Sequence, residues 1–120
     1  MEKEAGFNFE KLKVYQEALN FVDSAYETIS LFPKEERFGL RDQFRRAAIS
    51  VPLNIAEGYG QSQLQFRRYL NIAKGSVREC FAILDLSKRR NYITIDAENK
   101  LKGQCVVLSK MLSGLLNKVK

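Results

Sequence analysis

An all-α fold, an antiparallel four-helix bundle running up-down-up-down, follows from three features of this 120-residue chain. Apolar residues recur at steps of three and four in four separate stretches, which places each set on one stripe of a helix. No stretch sustains the alternation of a half-buried strand. Helix-stopping and helix-capping residues fall between the stretches, and the links they leave are short enough to make neighbours antiparallel. With 45% hydrophobic residues and 13.8 kDa, residues 1–120 read as one domain with a real core. Residues 1–8 are expected to form a flexible N-terminal segment.

The first helix carries Leu12, Tyr15, Leu19, Val22, Tyr26 and Ile29, and Phe32-Pro33 closes it, because the residue before proline is pushed out of the helical region. The second carries Leu40, Phe44, Ala47, Val51 and Ile55, widened by Ala48, and ends at Gly58-Tyr59-Gly60. Pro52 lies inside it, removing an N–H and pressing on the carbonyl of Ala48. The apolar rhythm continues to Ile55, so a kink is expected there rather than a break. Ser62 with Gln65 is a capping-box signature opening the third helix, which carries Phe66, Leu70, Ala73, Val77, Cys80 and Leu84. Lys88, Arg89 and Arg90 fall in its last turn, where the helix dipole favours cations. Thr94, with Asp96 and Glu98 after it, starts the fourth: Leu101, Cys105, Leu108, Leu112, Leu115 and Val119. The first helix also has a second apolar stripe, Val14, Ala18, Phe21 and Ala25. That stripe is expected to bury itself against another subunit, a broad intramolecular face being the alternative.

Charge is unevenly spread. The chain has 20 basic and 14 acidic residues and a net charge of +6, compatible with nucleic acid, anionic lipid or an acidic protein as partner. Residues 1–36 carry four basic and eight acidic groups, whereas residues 37–92 carry eleven and four. All nine arginines lie between Arg37 and Arg90. Arg67, Lys74 and Arg78 share one heptad stripe of the third helix with Asn71 between them. Arg41 and Arg45 stand one turn apart on the second, with Arg37 before them. These five, Arg67, Lys74, Arg78, Arg41 and Arg45, are the candidate phosphate contacts, since a basic stripe on a rigid element tracks a nucleic-acid backbone and guanidinium binds phosphate bidentately. A solvated basic face, or pairing with the acidic first helix of a neighbouring subunit, would use the same residues. The polar ridge Asp42, Arg46, Ser50, Asn54 and Glu57 reads equally as a solvated edge or a hydrogen-bonding seam.

Catalytic readings are weak. The chain has no histidine, which removes the commonest general base and metal ligand. Lys74-Gly75-Ser76 lacks the upstream glycine of a phosphate loop, and Gly75 is expected to permit close helix approach. Glu57 and Glu79 stand without the Glu-x-x-His pairs of di-iron bundles. No enzyme activity, cofactor or metal is therefore expected. Cys80 and Cys105 lie about equally far from the turn near Tyr92, on core tracks. Buried free thiols are expected, with a redox pair as the alternative. Tyr59 either packs over a helix end or offers an exposed stacking ring. Neither a membrane span nor a leader pattern appears, and a cytoplasmic location is expected.

The ordered block Phe32-Pro33, Glu36, Phe38-Gly39-Leu40, Gln43, Arg45-Arg46-Ala47-Ala48, Ser50-Val51-Pro52 and Asn54-Ile55-Ala56-Glu57-Gly58 resembles the bacterial four-helix bundle proteins encoded in intervening sequences of 23S ribosomal RNA genes. Phe9-Glu10, Leu12 and Val14-Tyr15 add to the resemblance, as do Phe66, Arg68-Tyr69-Leu70, Ala73-Lys74-Gly75-Ser76 and Glu79. It spans residues 9–95, and the fourth helix matches only in apolar pattern. The resemblance implies a four-helix bundle and a ring-like homopentamer. A related group, the accessory proteins of diversity-generating retroelements, comprises basic pentamers that engage nucleic acid and a reverse transcriptase. It carries over no catalytic residue. The expectation that results is non-catalytic binding of structured RNA, in preference to DNA, through a basic surface repeated on a ring. The alternative is a scaffold whose charged faces meet other subunits or a protein partner.

Overall fold

The computed structural model describes residues 7–119. Four helices make up most of them: α1 (Lys13–Ile29), α2 (Leu40–Gly58), α3 (Gln63–Arg89) and α4 (Ile95–Lys118). Short 3-10 turns, Asn8–Lys11 and Lys34–Glu36, precede α1 and α2. Of the segment expected to be flexible, residues 1–6 lie outside the described residues. Phe7 and Asn8 enter the first turn, where the Phe7 N–H donates to Glu10 Oε1 at 3.1 Å.

Side chains satisfy the helix ends as the sequence chemistry demands. Ser62 Oγ accepts the N–H of Gln65 at 3.2 Å, and Thr94 Oγ1 that of Ala97 at 3.1 Å, relieving donors that have no partner within the first turn. α2 begins after Gly39, which has no side chain to cap with. The carboxylate of Glu36 takes that role, its Oε1 accepting the Leu40 N–H at 2.8 Å. A Cβ at Gly39 would stand 2.7 Å from this oxygen, so glycine keeps the carboxylate's path open. α3 ends in a Schellman motif: the Tyr92 N–H reaches the Ser87 carbonyl at 2.9 Å and the Asn91 N–H that of Lys88 at 3.0 Å. Asn91 supplies the left-handed residue, with φ of 61°.

α1 packs on α2 and α4, and α3 packs on the same two helices, so each helix has two neighbours around one core. Partners across α2 and α3 run Gln43–Glu79 and Ser50–Ser76; across α3 and α4 they run Arg67–Leu116, Lys74–Ser113 and Asp85–Lys102. One number falls as the other rises, which makes both pairs antiparallel. Pro52 is buried within α2, which continues from Leu40 to Gly58; the proline does not break the helix. The polar ridge is a seam at its centre: Ser76 Oγ donates to Ser50 Oγ at 2.7 Å, and Asn54 Nδ2 to the same oxygen at 2.8 Å.

The core corrects one expectation. Val14, Ala18, Phe21 and Ala25, expected to meet another subunit, are buried inside the chain, and Phe21 meets Phe44 edge-on at 6.3 Å. The stripe left partly open is the other one: Tyr15, Leu19 and Val22 are half-buried, and Tyr26 is exposed. Both stripes satisfy the helical period, and the period alone does not say which one points inward. The glycine reading also changes. A Cβ at Gly75 would meet nothing within 4 Å, whereas one at Gly58 would stand 2.6 Å from Tyr69 Cβ. Close helix approach therefore belongs to Gly58. Tyr59 beside it packs edge-on against Phe66, centroids 5.6 Å apart, over the helix end.

Cys80 and Cys105 are free and buried between α3 and α4. Burial pushes the Cys105 thiol up to about 12 and raises that of Cys80 as well, with smaller contributions from Cys105 and Glu79. Unfolding returns both to an ordinary value near 8.5. Above it the unfolded chain releases protons that the folded chain keeps, so stability falls as pH rises. Urea unfolding from pH 8 to 11 is expected to show this decline, shallower in a Cys80→Ala/Cys105→Ala variant by up to about 1.4 kcal/mol per pH unit per thiol. Phe21→Ala is expected to destabilise the monomer fold by about 3–5 kcal/mol, measured the same way.

Candidate nucleic-acid interface

The five candidate phosphate contacts do not share one surface. Arg67 turns toward α4: its Nη1 donates to the carbonyls of Leu116 and Val119, the latter at 2.6 Å. Those carbonyls belong to the end of α4, where no following turn supplies donors, so Arg67 caps that helix from its neighbour. Lys74 lies one level along the same seam, its Nζ donating to Ser113 Oγ at 2.8 Å. Arg45 pairs with Asp42 at 2.6 Å. Its guanidinium is held protonated by that carboxylate first and by Tyr26 next. Arg41 is half-buried in the first turn of α2. Arg78 alone of the five is exposed, and it has no ion-pair partner among the described residues.

Position along α3, rather than angle, makes the division. At about 100° per residue Arg78 falls within about 20° of Arg67. Arg67 and Lys74 meet acceptors on α4, whereas Arg78 meets none among the described residues and joins an outward lane. Leu64, Arg68, Asn71, Gly75, Ala82 and Arg89 share that outward lane, and all are exposed. Arg68, Arg78 and Arg89 are thus three cations on one straight face, roughly 15 Å apart. Among the described residues none of them pairs with a carboxylate. Arg68 lies 5.8 Å from the centroid of the Tyr69 ring, which leaves its charge unneutralised. Asp85, the acidic residue nearest this lane on α3, is engaged by Lys102, which also pairs with Glu98 at 3.0 Å.

Sequence reasoning missed Arg68 and Arg89. The signal was available in a second heptad frame on the same helix, shifted by one residue from the frame that holds Arg67. A second cationic group also escaped it. Lys88, Arg89 and Arg90, expected as dipole partners, precede a turn that meets the turn before α2, which holds Arg37. Tyr92 Oη donates to Glu36 Oε2 at 2.8 Å. That bond lies between residues 56 apart, and no local pattern announces it. Glu79, considered as a metal ligand, accepts from Gln43 Nε2 at 3.3 Å. Among the described residues no group of three His, Cys, Asp or Glu side chains could hold a metal ion, and no helix is long and apolar enough to cross a membrane.

The fold and its charge define a small all-α bundle with three exposed arginines on one face of α3 and further cations in the turns at one end. Residues 10–114 match the family model of 23S rRNA-intervening sequence proteins. The chain belongs to that family. It is also similar to a crystal structure described as a protein of unknown function from the S23 ribosomal protein family of Bacteroides thetaiotaomicron. That likeness has a TM-score of 0.80 at 25% identity, covering 86% of this chain and 97% of the other. No curated protein matches the chain.

The two kinds of arginine should separate in a stability measurement. Arg67→Gln is expected to cost about 1–3 kcal/mol and to speed amide exchange in the last turns of α4. Arg78→Gln is expected to change stability by less than about 0.5 kcal/mol. Urea unfolding and native-state hydrogen exchange on the two variants check this.

Proposed function

We propose that this chain is a non-catalytic nucleic-acid-binding protein that holds structured RNA by its phosphates. The observation that carries the reading is the outward lane of α3, where Arg68, Arg78 and Arg89 face solvent and the neighbouring Asp85 is engaged by Lys102. On one rigid helix they span roughly 30 Å, about one turn of a nucleic-acid duplex. Arginine suits this task, since its weakly hydrated fork grips phosphate bidentately. Phosphate contacts fix position and carry no sequence information, so the reading is of steeply salt-dependent binding with little base preference. Membership of a 23S rRNA-intervening sequence family favours RNA over DNA as the polymer.

We also propose a homo-oligomeric ring, a pentamer on the resemblance described above, which repeats the lane and adds avidity without new contacts. The surface offered to a neighbour is the open side of α1, Tyr15, Leu19, Val22 and Tyr26, continued on α2 by the half-buried Ile49 and the exposed Leu53. That apolar strip equally favours a second reading, a protein-interaction scaffold. One double variant distinguishes them. Arg78→Glu with Arg89→Glu is expected to weaken binding of a folded ribosomal RNA fragment at least about tenfold. It should also flatten the log–log salt dependence by about two, with the sedimentation coefficient unchanged. Lost assembly with RNA affinity intact would establish the scaffold reading instead.

A further inference from the structure

Two turns meet at one end of the bundle, tied by a single carboxylate. Glu36 accepts the Leu40 N–H on Oε1 and the Tyr92 hydroxyl on Oε2, each at 2.8 Å. The rings of Phe32 and Tyr92 pack beside it with centroids 5.4 Å apart. Both hydrogen bonds favour the ionised carboxylate and hold Glu36 below its ordinary range, the Leu40 N–H contributing most. The tie is therefore intact at neutral pH. Residues 34–41 bring Lys34, Arg37 and Arg41 to this end, and residues 88–92 bring Lys88, Arg89 and Arg90. The carboxylates of these two segments are Glu35 and the already engaged Glu36.

From this cationic end projects Phe38, 88% exposed. The Arg37 guanidinium lies 5.5 Å from the centroid of its ring. Phosphates alone have no use for an aromatic face. An apolar protein surface covering Phe38 would have to strip water from the surrounding cations, which is costly unless each finds a partner. An unpaired nucleobase satisfies both requirements at once, because its flat face stacks on the ring while its own phosphates lie within reach of the cations. We infer that this end of the bundle holds an unpaired base of an RNA strand, stacked on Phe38, with the flanking phosphates on Arg37, Arg89 and Arg90.

The inference rests on the nucleic-acid reading and deepens it. The lane of α3 follows the backbone, Arg89 joins lane to end, and the end selects for a base free of its neighbours. Bases within a duplex are stacked on both faces and offer none to Phe38. The preference is consequently for hairpin loops, bulges and frayed ends, with tolerance for base identity.

The test measures fluorescence anisotropy at low salt with two RNAs of equal phosphate number, a hairpin with an unpaired loop and a blunt duplex. Phe38→Ala is expected to weaken hairpin binding about tenfold and to leave duplex binding within about twofold, while Phe38→Tyr keeps the wild-type preference. The ring is so exposed that its removal leaves the fold intact. Equal loss on both RNAs, or none on either, overturns the stacking site. If Arg78→Glu/Arg89→Glu still weakens both RNAs in that case, the broader reading stands. Failure of the wild-type protein to bind either RNA overturns both inferences. A changed sedimentation coefficient in Phe38→Ala overturns the site in favour of a subunit contact.

Discussion

Every helix of this bundle has two neighbours and a core, which leaves it one free face, and that constraint decides which charges are available. α3 shows it most fully. One side of its circumference holds Leu70, Ala73, Val77, Cys80 and Leu84, all buried. One flank meets α2 through Ser76 and Glu79, and the other meets α4 through Arg67 and Lys74. Only the lane through Arg68, Arg78 and Arg89 remains. A cation on a flank stabilises the monomer, whereas a cation in the lane contributes little to folding and is free to meet a partner. Arg67 and Arg68 thus have different roles because they differ by about 100° around one axis.

A second dependence runs through Glu36. Without its carboxylate, α2 would begin with exposed orphan N–H groups and no capping side chain, since Gly39 precedes Leu40. The same carboxylate receives Tyr92, which is aimed there by the left-handed Asn91 after α3. One acidic group therefore sets the entry of α2, the exit of α3 and the placing of the cations between them. Its requirement for glycine at position 39 is steric, and its requirement for the turn at Asn91 is directional.

Much of this was legible in the sequence. Four helices, their order and most of their limits follow from apolar period and punctuation. The caps at Ser62 and Thr94 are legible in the sequence, and so is the place where Gly58-Tyr59-Gly60 ends α2. Proline misled slightly at the first helix, which closes at Ile29 before Pro33 exerts any effect. The site was legible only in part, because a helical stripe is defined by angle and the sequence leaves the zero of that angle free. Val14, Ala18, Phe21 and Ala25 against Leu12, Tyr15, Leu19 and Val22 is one such ambiguity; Arg67 and Lys74 against Arg68 and Arg89 is another. Contacts with partners far along the chain, Phe21 with Phe44 for the first and Arg67 with Leu116 for the second, resolve them, and local pattern contains neither.

Charge segregation along the chain becomes segregation in space because α1 and α3 lie diagonally across the bundle. The acidic first third of the chain places Asp23 and Glu27 on the exposed side of α1. The arginines of the lane face the opposite way on α3. A monomer with net charge +6 therefore also carries a charge gradient across its 24 to 33 Å cross-section. Near a polyanion such a gradient supplies a torque as well as an attraction, turning α3 inward before contact is made. It also restrains packing between copies, since a basic lane placed on a neighbour's acidic helix would neutralise both. An assembly of the kind proposed would keep its lanes free only by joining through other surfaces, and the apolar strip of α1 and α2 is one such surface.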